Sequence, residues 1–260
     1  MILDKILKYK REELENFKRR SSLSDLRKKG MDQEPARDFL KSLKNWTKSV
    51  RIIAEIKKAS PSAGLIRPDF DPIRLAHAYE ENGAVAVSVL TDEHFFQGSL
   101  SDLTRVKNKI PLPVLRKDFL FSEYQIYEAR AAQADALLLI VRILEPSQLK
   151  DYMALTNELG MSPLVEVHDE KEFEAAQKVG AALIGINNRD LDSLKIDLGT
   201  TEKILSGERD DRLTVLSESG ISKREEIEKL LEVGVHGFLI GEALLKEKDP
   251  GEKLRELWSL

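Results

Sequence analysis

Short apolar runs recur along this sequence, with room for one amphipathic helix between each pair. From residue 51 onward they are Ile52 to Ile56, Ala84 to Leu90, Leu112 to Leu115, Ala136 to Val141, Leu164 to Val167, Ala182 to Ile186, Leu213 to Leu216 and Gly237 to Ile240. Each is nearly continuous in Val, Ile, Leu and Ala, the pattern of parallel strands covered on both faces by crossover helices. The segments between them read as helices over Pro72 to Asn82, Leu100 to Lys109, Glu123 to Ala132, Pro146 to Gly160, Glu170 to Val179, Thr200 to Leu205, Lys223 to Val233 and Gly251 to Trp258. Asp71-Pro72, Glu145-Pro146 and Asp249-Pro250 mark helix starts, and Gly83, Gly160, Gly180 and Gly234 mark ends. Eight strands alternating with helices predict an α/β chain folded as a (β/α)8 TIM barrel. The alternative, an open doubly wound sheet, lacks its GxGxxG motif after the first run. Residues 1–48 stand outside the repeat as one or two amphipathic helices, with Ile2, Leu3, Ile6, Leu7, Leu14 and Phe17 on one stripe expected to pack on the barrel. The expected organisation is a single domain over 1–260, of which 1–48 is an N-terminal helical extension.

Charge and composition narrow the function. The 41 Lys and Arg against 45 Asp and Glu give a net charge of −4, so there is no global cationic field for nucleic acid or an acidic membrane. The basic clusters Lys18-Arg19-Arg20 and Arg27-Lys28-Lys29 read as solvated helix faces. No apolar run reaches the roughly 20 residues of a membrane span, and Met1-Ile2-Leu3-Asp4-Lys5 is too charged to open a signal peptide. A cytoplasmic protein is expected. With no cysteine and four scattered histidines, no metal site is expected either. The expected partner is a small molecule.

In a barrel the active face lies at the C-terminal ends of the strands. Two-residue alternation in the first run puts Ile53, Glu55 and Lys57 on one side and Ile52, Ala54 and Ile56 on the other, so Glu55 and Lys57 point inward if the second set meets the helices. The third run delivers Lys117 at its end, the fifth Glu166, the sixth Asn187 and Arg189, and the seventh Ser219. Charges there need partners or a ligand, and a ring of Lys and Glu supplies both while shifting each member's proton affinity. Arg116 and Asp118 have the opposite parity and are expected in structural ion pairs. His168 shares the parity of Glu166 but, as a lone histidine, is assigned a structural role. Phe95, Phe96 and Phe119 either stack on an aromatic substrate or plug the rim. Gly220 and Gly241, each at a strand end, fit a phosphate cradle of backbone N–H groups to which Glu242 adds its amide while its carboxylate turns away. The segment Lys58 to Gly64 offers hydroxyls, Ser60 among them, on an expected mobile flap.

The ordered segments are Ala54-Glu55-Ile56-Lys57-Lys58-Ala59-Ser60-Pro61-Ser62, Ser88-Val89-Leu90-Thr91-Asp92, Phe96-Gln97-Gly98-Ser99, Lys117-Asp118-Phe119, Gly185-Ile186-Asn187-Asn188-Arg189-Asp190-Leu191 and Ser217-Glu218-Ser219-Gly220-Ile221. Together they resemble the indole-3-glycerol-phosphate synthase family of tryptophan biosynthesis across essentially the whole chain. Ala63 stands where many relatives have lysine. The resemblance implies a carboxy-lyase that converts 1-(2-carboxyphenylamino)-1-deoxyribulose 5-phosphate to indole-3-glycerol phosphate with loss of carbon dioxide and water, and an extension that covers the barrel mouth. It implies that Lys117 is the general acid of ring closure, that Lys57 binds the anthranilate carboxylate and assists the later acid step, and that Glu166 is a base or proton shuttle. Glu55 would position Lys57 and stabilise positive charge on the ring nitrogen, with Asn187 and Ser219 as orienting donors. Ser60, Phe96, Phe119 and Arg189 would bind substrate, and Gly220, Gly241 and Glu242 its phosphate. No cofactor is implied, because the arylamine is itself the electron reservoir. The chain is expected to act as a monomer on a small phosphorylated substrate, with association with other tryptophan-pathway enzymes left open. Competing readings are another sugar-phosphate barrel isomerase, a Schiff-base aldolase, or a non-catalytic barrel that binds a phosphorylated ligand.

Overall fold

The computed structural model of the protein describes residues 1–48, 50–207, 210 and 212–259. The eight apolar runs form strands whose ends differ from the sequence reading by a residue or two: β1 (Ile52–Ile56), β2 (Ala86–Leu90), β3 (Val114–Lys117), β4 (Ala136–Ile140), β5 (Ser162–Val167), β6 (Leu183–Asn187), β7 (Thr214–Glu218) and β8 (Gly237–Ile240). Each pairs in parallel with its successor, and β8 closes on β1. The closed sheet divides each strand between two cores. Ile52, Ala54 and Ile56 of β1 face helices in an outer core that includes Leu75 and Tyr79, while Ile53 joins Leu115, Leu164, Leu183, Leu216 and Leu239 in the barrel interior.

The helices that follow the strands are α4 (Pro72–Glu81), α6 (Leu100–Lys107), α7 (Glu123–Ala131), α8 (Pro146–Glu158), α9 (Glu170–Lys178), α10 (Gly199–Leu205), α11 (Arg224–Glu232) and α13 (Pro250–Trp258). Their ends follow local chemistry. The Asp71 carboxylate accepts the N–H groups of Ile73 and Arg74 ahead of Pro72, and Asp249 does the same for Gly251 and Glu252. Short elements beyond the repeat are α5 (Glu93–Phe96), α12 (Glu242–Leu245), a single turn of 3-10 helix over Val141–Ile143, and a hairpin pairing Ala59–Ser60 with Gly64–Leu65. That hairpin occupies the segment expected to be a flap. No helix among the described residues is long and apolar enough to cross a membrane.

The extension is three helices, not one or two: α1 (Ile2–Arg20), α2 (Leu23–Met31) and α3 (Phe39–Lys44). Ser22 separates the first two through a reciprocal cap with Asp25, and the Asp38 carboxylate caps the third by accepting the Lys41 N–H. Together they run from one end of the barrel to the other. Leu3 and Ile6 of α1 pack with Phe119, Leu138 and Ile140 at the C-terminal mouth, and Leu14 and Leu26 pack on Tyr124 of α7. Arg37 then bonds to Asp135 and the Leu112 carbonyl, which lie just before β4 and β3. Phe39 and Leu43 are fully buried in the interior cluster with Ile53 and Val85. The α1 stripe also contains a buried charge: Lys10, 3% exposed, pairs with Asp118 at 3.0 Å and with Glu13.

Candidate active site

The interior cluster ends in charge at the mouth. Glu55 and Lys57 of the β1 side point inward, as the alternation predicts, and Lys57 Nζ lies 2.6 Å from Glu55 Oε1. Across the barrel, Lys117 Nζ donates to Glu166 Oε2 at 2.8 Å and pairs with Glu218 Oε2 at 3.2 Å. Glu55 is 4% exposed, and Glu166 and Glu218 are each 1% exposed. Two glycines make this crowding feasible. A β-carbon on Gly185 would strike the Glu218 carboxylate, and one on Gly241 would strike Glu55.

Burial and pairing oppose one another here. Burial penalises the Lys117 ammonium, but the carboxylates of Glu166, Glu218 and Glu55 more than offset it and hold its pKa above the ordinary lysine range. Glu166 goes the other way: despite burial, Lys117 and His168 hold its carboxyl below the usual range. Glu218 is pushed up to about 7, first by burial and then by the charge of Glu166, with Lys117 opposing. Neither Glu218 oxygen makes a well-directed hydrogen bond among the described residues, which favours the protonated form. Three carboxylates around two lysines therefore give one firmly charged acid, Lys117, and one carboxyl that titrates near neutrality.

Two recesses open from this cluster and share Glu55, Lys57, Lys117, Arg189 and Ser219. The first is a cleft open to solvent. Its apolar wall includes Phe96 and Phe119, with ring centroids 6.3 Å apart, Leu138 and Ile140 of β4, and Ile2, Leu3 and Ile6 of α1. Ser60 and Asn187 add polar atoms to the same recess, and the Asn187 side-chain oxygen accepts the Arg189 N–H. The second is lined by Gly220, Ser222, Gly241, Glu242 and Lys246. Ser219 and Gly220 both take left-handed backbone angles, with φ of 65° and 84°, turning the chain after β7 toward this recess.

The thirteen residues expected at the site, Glu55, Lys57, Ser60, Phe96, Lys117, Phe119, Glu166, Asn187, Arg189, Ser219, Gly220, Gly241 and Glu242, all line one recess or the other. One detail differs from expectation. The Glu242 carboxylate does not turn away: Arg189 lies 3.4 Å and Lys246 2.6 Å from it, and these two cations hold it at the rim. At Gly241 the Glu55 carboxylate also requires glycine, since a side chain there would displace it. Of the three phenylalanines, Phe95 does not line the apolar recess; it packs on the interior cluster and meets Tyr9 of α1 edge-on, the second of the two expected arrangements. Arg116 and Asp118 form the expected ion pair at 3.2 Å, and Arg116 also reaches Glu128 at 2.8 Å. Sequence reasoning missed Glu218, Lys246 and the contact of His168 with Glu166. For Glu218 a signal existed: with Leu216 in the interior, the same alternation that exposes Glu55 turns Glu218 inward.

A closed parallel barrel with paired lysines and carboxylates at the C-terminal ends of its strands defines an enzyme of the (β/α)8 class. The family model for indole-3-glycerol phosphate synthase matches residues 3–257. The chain is 47% identical over 257 residues to the indole-3-glycerol phosphate synthase of Desulforamulus reducens, covering 99% of this chain and 97% of that one. It is 46% identical over 261 residues to the protein of that name from Dehalococcoides mccartyi strain BAV1, covering 99% and 100%. The chain belongs to the indole-3-glycerol phosphate synthase family. Among solved structures it is similar to the N-acetylmannosamine-6-phosphate 2-epimerase from Clostridium perfringens, with a TM-score of 0.61, 16% identity, and coverage of 82% of this chain and 93% of that one. At that identity the likeness is one of fold alone.

Proposed function

We propose that the chain acts as an indole-3-glycerol-phosphate synthase, a carboxy-lyase converting 1-(2-carboxyphenylamino)-1-deoxyribulose 5-phosphate to indole-3-glycerol phosphate, carbon dioxide and water. The observation that carries this reading is the placement of Lys117 against Glu166 and Glu218, facing the Lys57–Glu55 pair between an apolar recess and a glycine-lined one. The apolar recess suits the anthranilate ring, with Phe96 and Phe119 beside it. The second suits the phosphate, with backbone N–H groups around Gly220 and Gly241 and the cations Arg189 and Lys246 at its rim.

In ring closure, the ring carbon that bears the carboxylate bonds to the ketone carbon, and the ketone oxygen takes a proton. Lys117 is the donor, because its surrounding carboxylates keep it charged at neutral pH. Glu218, titrating near 7, can return that proton. Loss of carbon dioxide hands its bonding pair back to the ring. The new hydroxyl then leaves as water with a proton from Lys57, while Glu166 takes the proton whose loss restores aromaticity. Glu55 holds Lys57 and faces positive charge on the arylamine nitrogen, and Asn187 and Ser219 orient the substrate.

The test is a steady-state fluorescence assay of indole product on wild type and Lys117→Ala. Loss of a general acid lowers kcat by about 10²–10⁴-fold, with substrate affinity by calorimetry changed only a few-fold. Near-wild-type turnover by the variant removes Lys117 from this role. Failure of well-folded wild type to turn over, with intact binding, makes the chain a binding protein.

A further inference from the structure

The mechanism leaves one buried titratable group beside the reacting cluster unused. His168, one residue past β5, has a side chain 2% exposed and, unlike Glu166, lines neither recess. Its Nε2 lies 3.3 Å from Glu166 Oε1, the oxygen that Lys117 does not take, and its Nδ1 lies 3.0 Å from Glu172 Oε2 on α9. Glu172 is itself fixed: it accepts the His168 backbone N–H at 2.8 Å and the Arg142 Nε at 2.7 Å. Arg142, in the 3-10 turn after β4, also faces Asp190 at 3.4 Å and Asp169 at 3.6 Å. Charges thus alternate from the barrel's outside to its centre: Arg142, Glu172, His168, Glu166, Lys117, Glu218.

We infer that His168 is a positioning residue: as an imidazolium clamped between Glu172 and Glu166, it holds Glu166 ionised and turned onto Lys117, and so leaves Glu218 to carry the site's exchangeable proton. The argument is one of donor supply. A neutral imidazole has one N–H and one acceptor nitrogen, yet both ring nitrogens here face carboxylate oxygens. The Nδ1 contact is a hydrogen bond and the Nε2 contact a close charge pair without hydrogen-bond geometry. With both carboxylates ionised, a neutral ring that donates from Nδ1 turns its Nε2 lone pair onto Glu166, and only the doubly protonated ring sets a positive charge against both carboxylates. Burial disfavours that charge, but the two carboxylates overcome it and raise the ring to about 9. Glu166 then has a cation on each oxygen, whereas among the described residues Glu218 pairs with Lys117 alone. This asymmetry separates two carboxylates that share one lysine, a requirement for giving them different roles as base and proton carrier.

The inference rests on the reading that Lys117 and Glu166 do the chemistry, so its test has one readout independent of turnover. In ligand-free wild type labelled with nitrogen-15 histidine, with His168→Asn assigning the resonance, both ring nitrogens are expected to carry protons at pH 7.5. A singly protonated His168 ring at that pH overturns the inference, whether or not the enzyme turns over. In the assay, His168→Asn is expected to move the acidic limb of the kcat/KM profile up by about one pH unit, the usual effect of removing an adjacent opposite charge. The loss is then about tenfold at the foot of that limb and fades as pH rises above it. Glu172→Gln, which keeps the ring but weakens its charge, moves the limb the same way by less and serves if His168→Asn does not fold. An equal fractional loss at every pH in the variant tested marks a merely structural side chain and overturns the inference.

Discussion

At the scale of single residues, Glu218 concentrates what the interior does to charge. Its carboxyl, with Gly185 opposite and Lys117 as its one cation among the described residues, ionises near pH 7 rather than in the usual carboxylate range. A folded-state pKa above the unfolded value means the native protein binds more protons between those values, so this group's stabilisation is present below about 4.5 and lost as pH rises through about 7. Glu218→Gln removes that loss. Its Tm relative to wild type is therefore expected to increase from pH 5 to pH 8, and thermal denaturation of the two proteins across that range checks it; a Tm difference that is flat or falls with pH contradicts it. The same residue shows where sequence reading stops. Lys117, Glu55 and Lys57 were legible because charge after an apolar run stands out and strand alternation gives its direction. Glu218 was legible by the same rule, but the Ser219-Gly220 turn beside it drew the assignment to its neighbour. The His168 clamp was not, because its meaning depends on Glu172 and Arg142, whose arrangement comes from the packing of α9 and the turn after β4.

At the scale of elements, α1 is attached to the mouth by both surface and charge. Leu3 and Ile6 supply the apolar contact, while Lys10 reaches Asp118, the residue following Lys117. The Lys10 ammonium is buried, yet Asp118 and Glu13 hold its pKa above the ordinary value. Replacing it, as in Lys10→Met, takes one cation from Asp118 but leaves Arg116 and Thr91 on that carboxylate, so the expected cost is on the order of 1–3 kcal/mol. Limited proteolysis should cut within the first twenty residues faster in this variant, and an unchanged cleavage rate would show that the apolar stripe alone holds the helix. The barrel's strands could be read from sequence because each is a local apolar run. The course of the extension could not: Asp118 and Asp135, the carboxylates that Lys10 and Arg37 reach across the barrel, lie about a hundred residues away in the chain, and a lysine within an apolar stripe reads as a break in it.

For the molecule as a whole, the two ends of the barrel have separate duties. The mouth holds the charged cluster; the opposite end carries Asp135, a fully buried carboxylate that accepts the Arg37 and Val114 N–H groups and pairs with Lys107 at 2.5 Å. Asp135→Asn leaves Lys107 buried without its counter-charge, a change that typically costs about 3–5 kcal/mol. The expected result is a lower Tm with kcat/KM of the folded protein unchanged, because residues at this end serve stability; a matching fall in kcat/KM at a temperature where the variant is folded would show the ends to be coupled. Closure of β8 on β1 carries a consequence in time. Ile52 of β1 pairs with Phe238, so during synthesis the free side of the first strand has no neighbour until almost the entire chain has emerged. At roughly 5–20 residues per second, that wait is about ten to forty seconds. For that interval the first strand keeps one edge without its partner, an apolar edge of the kind that invites misassembly during synthesis.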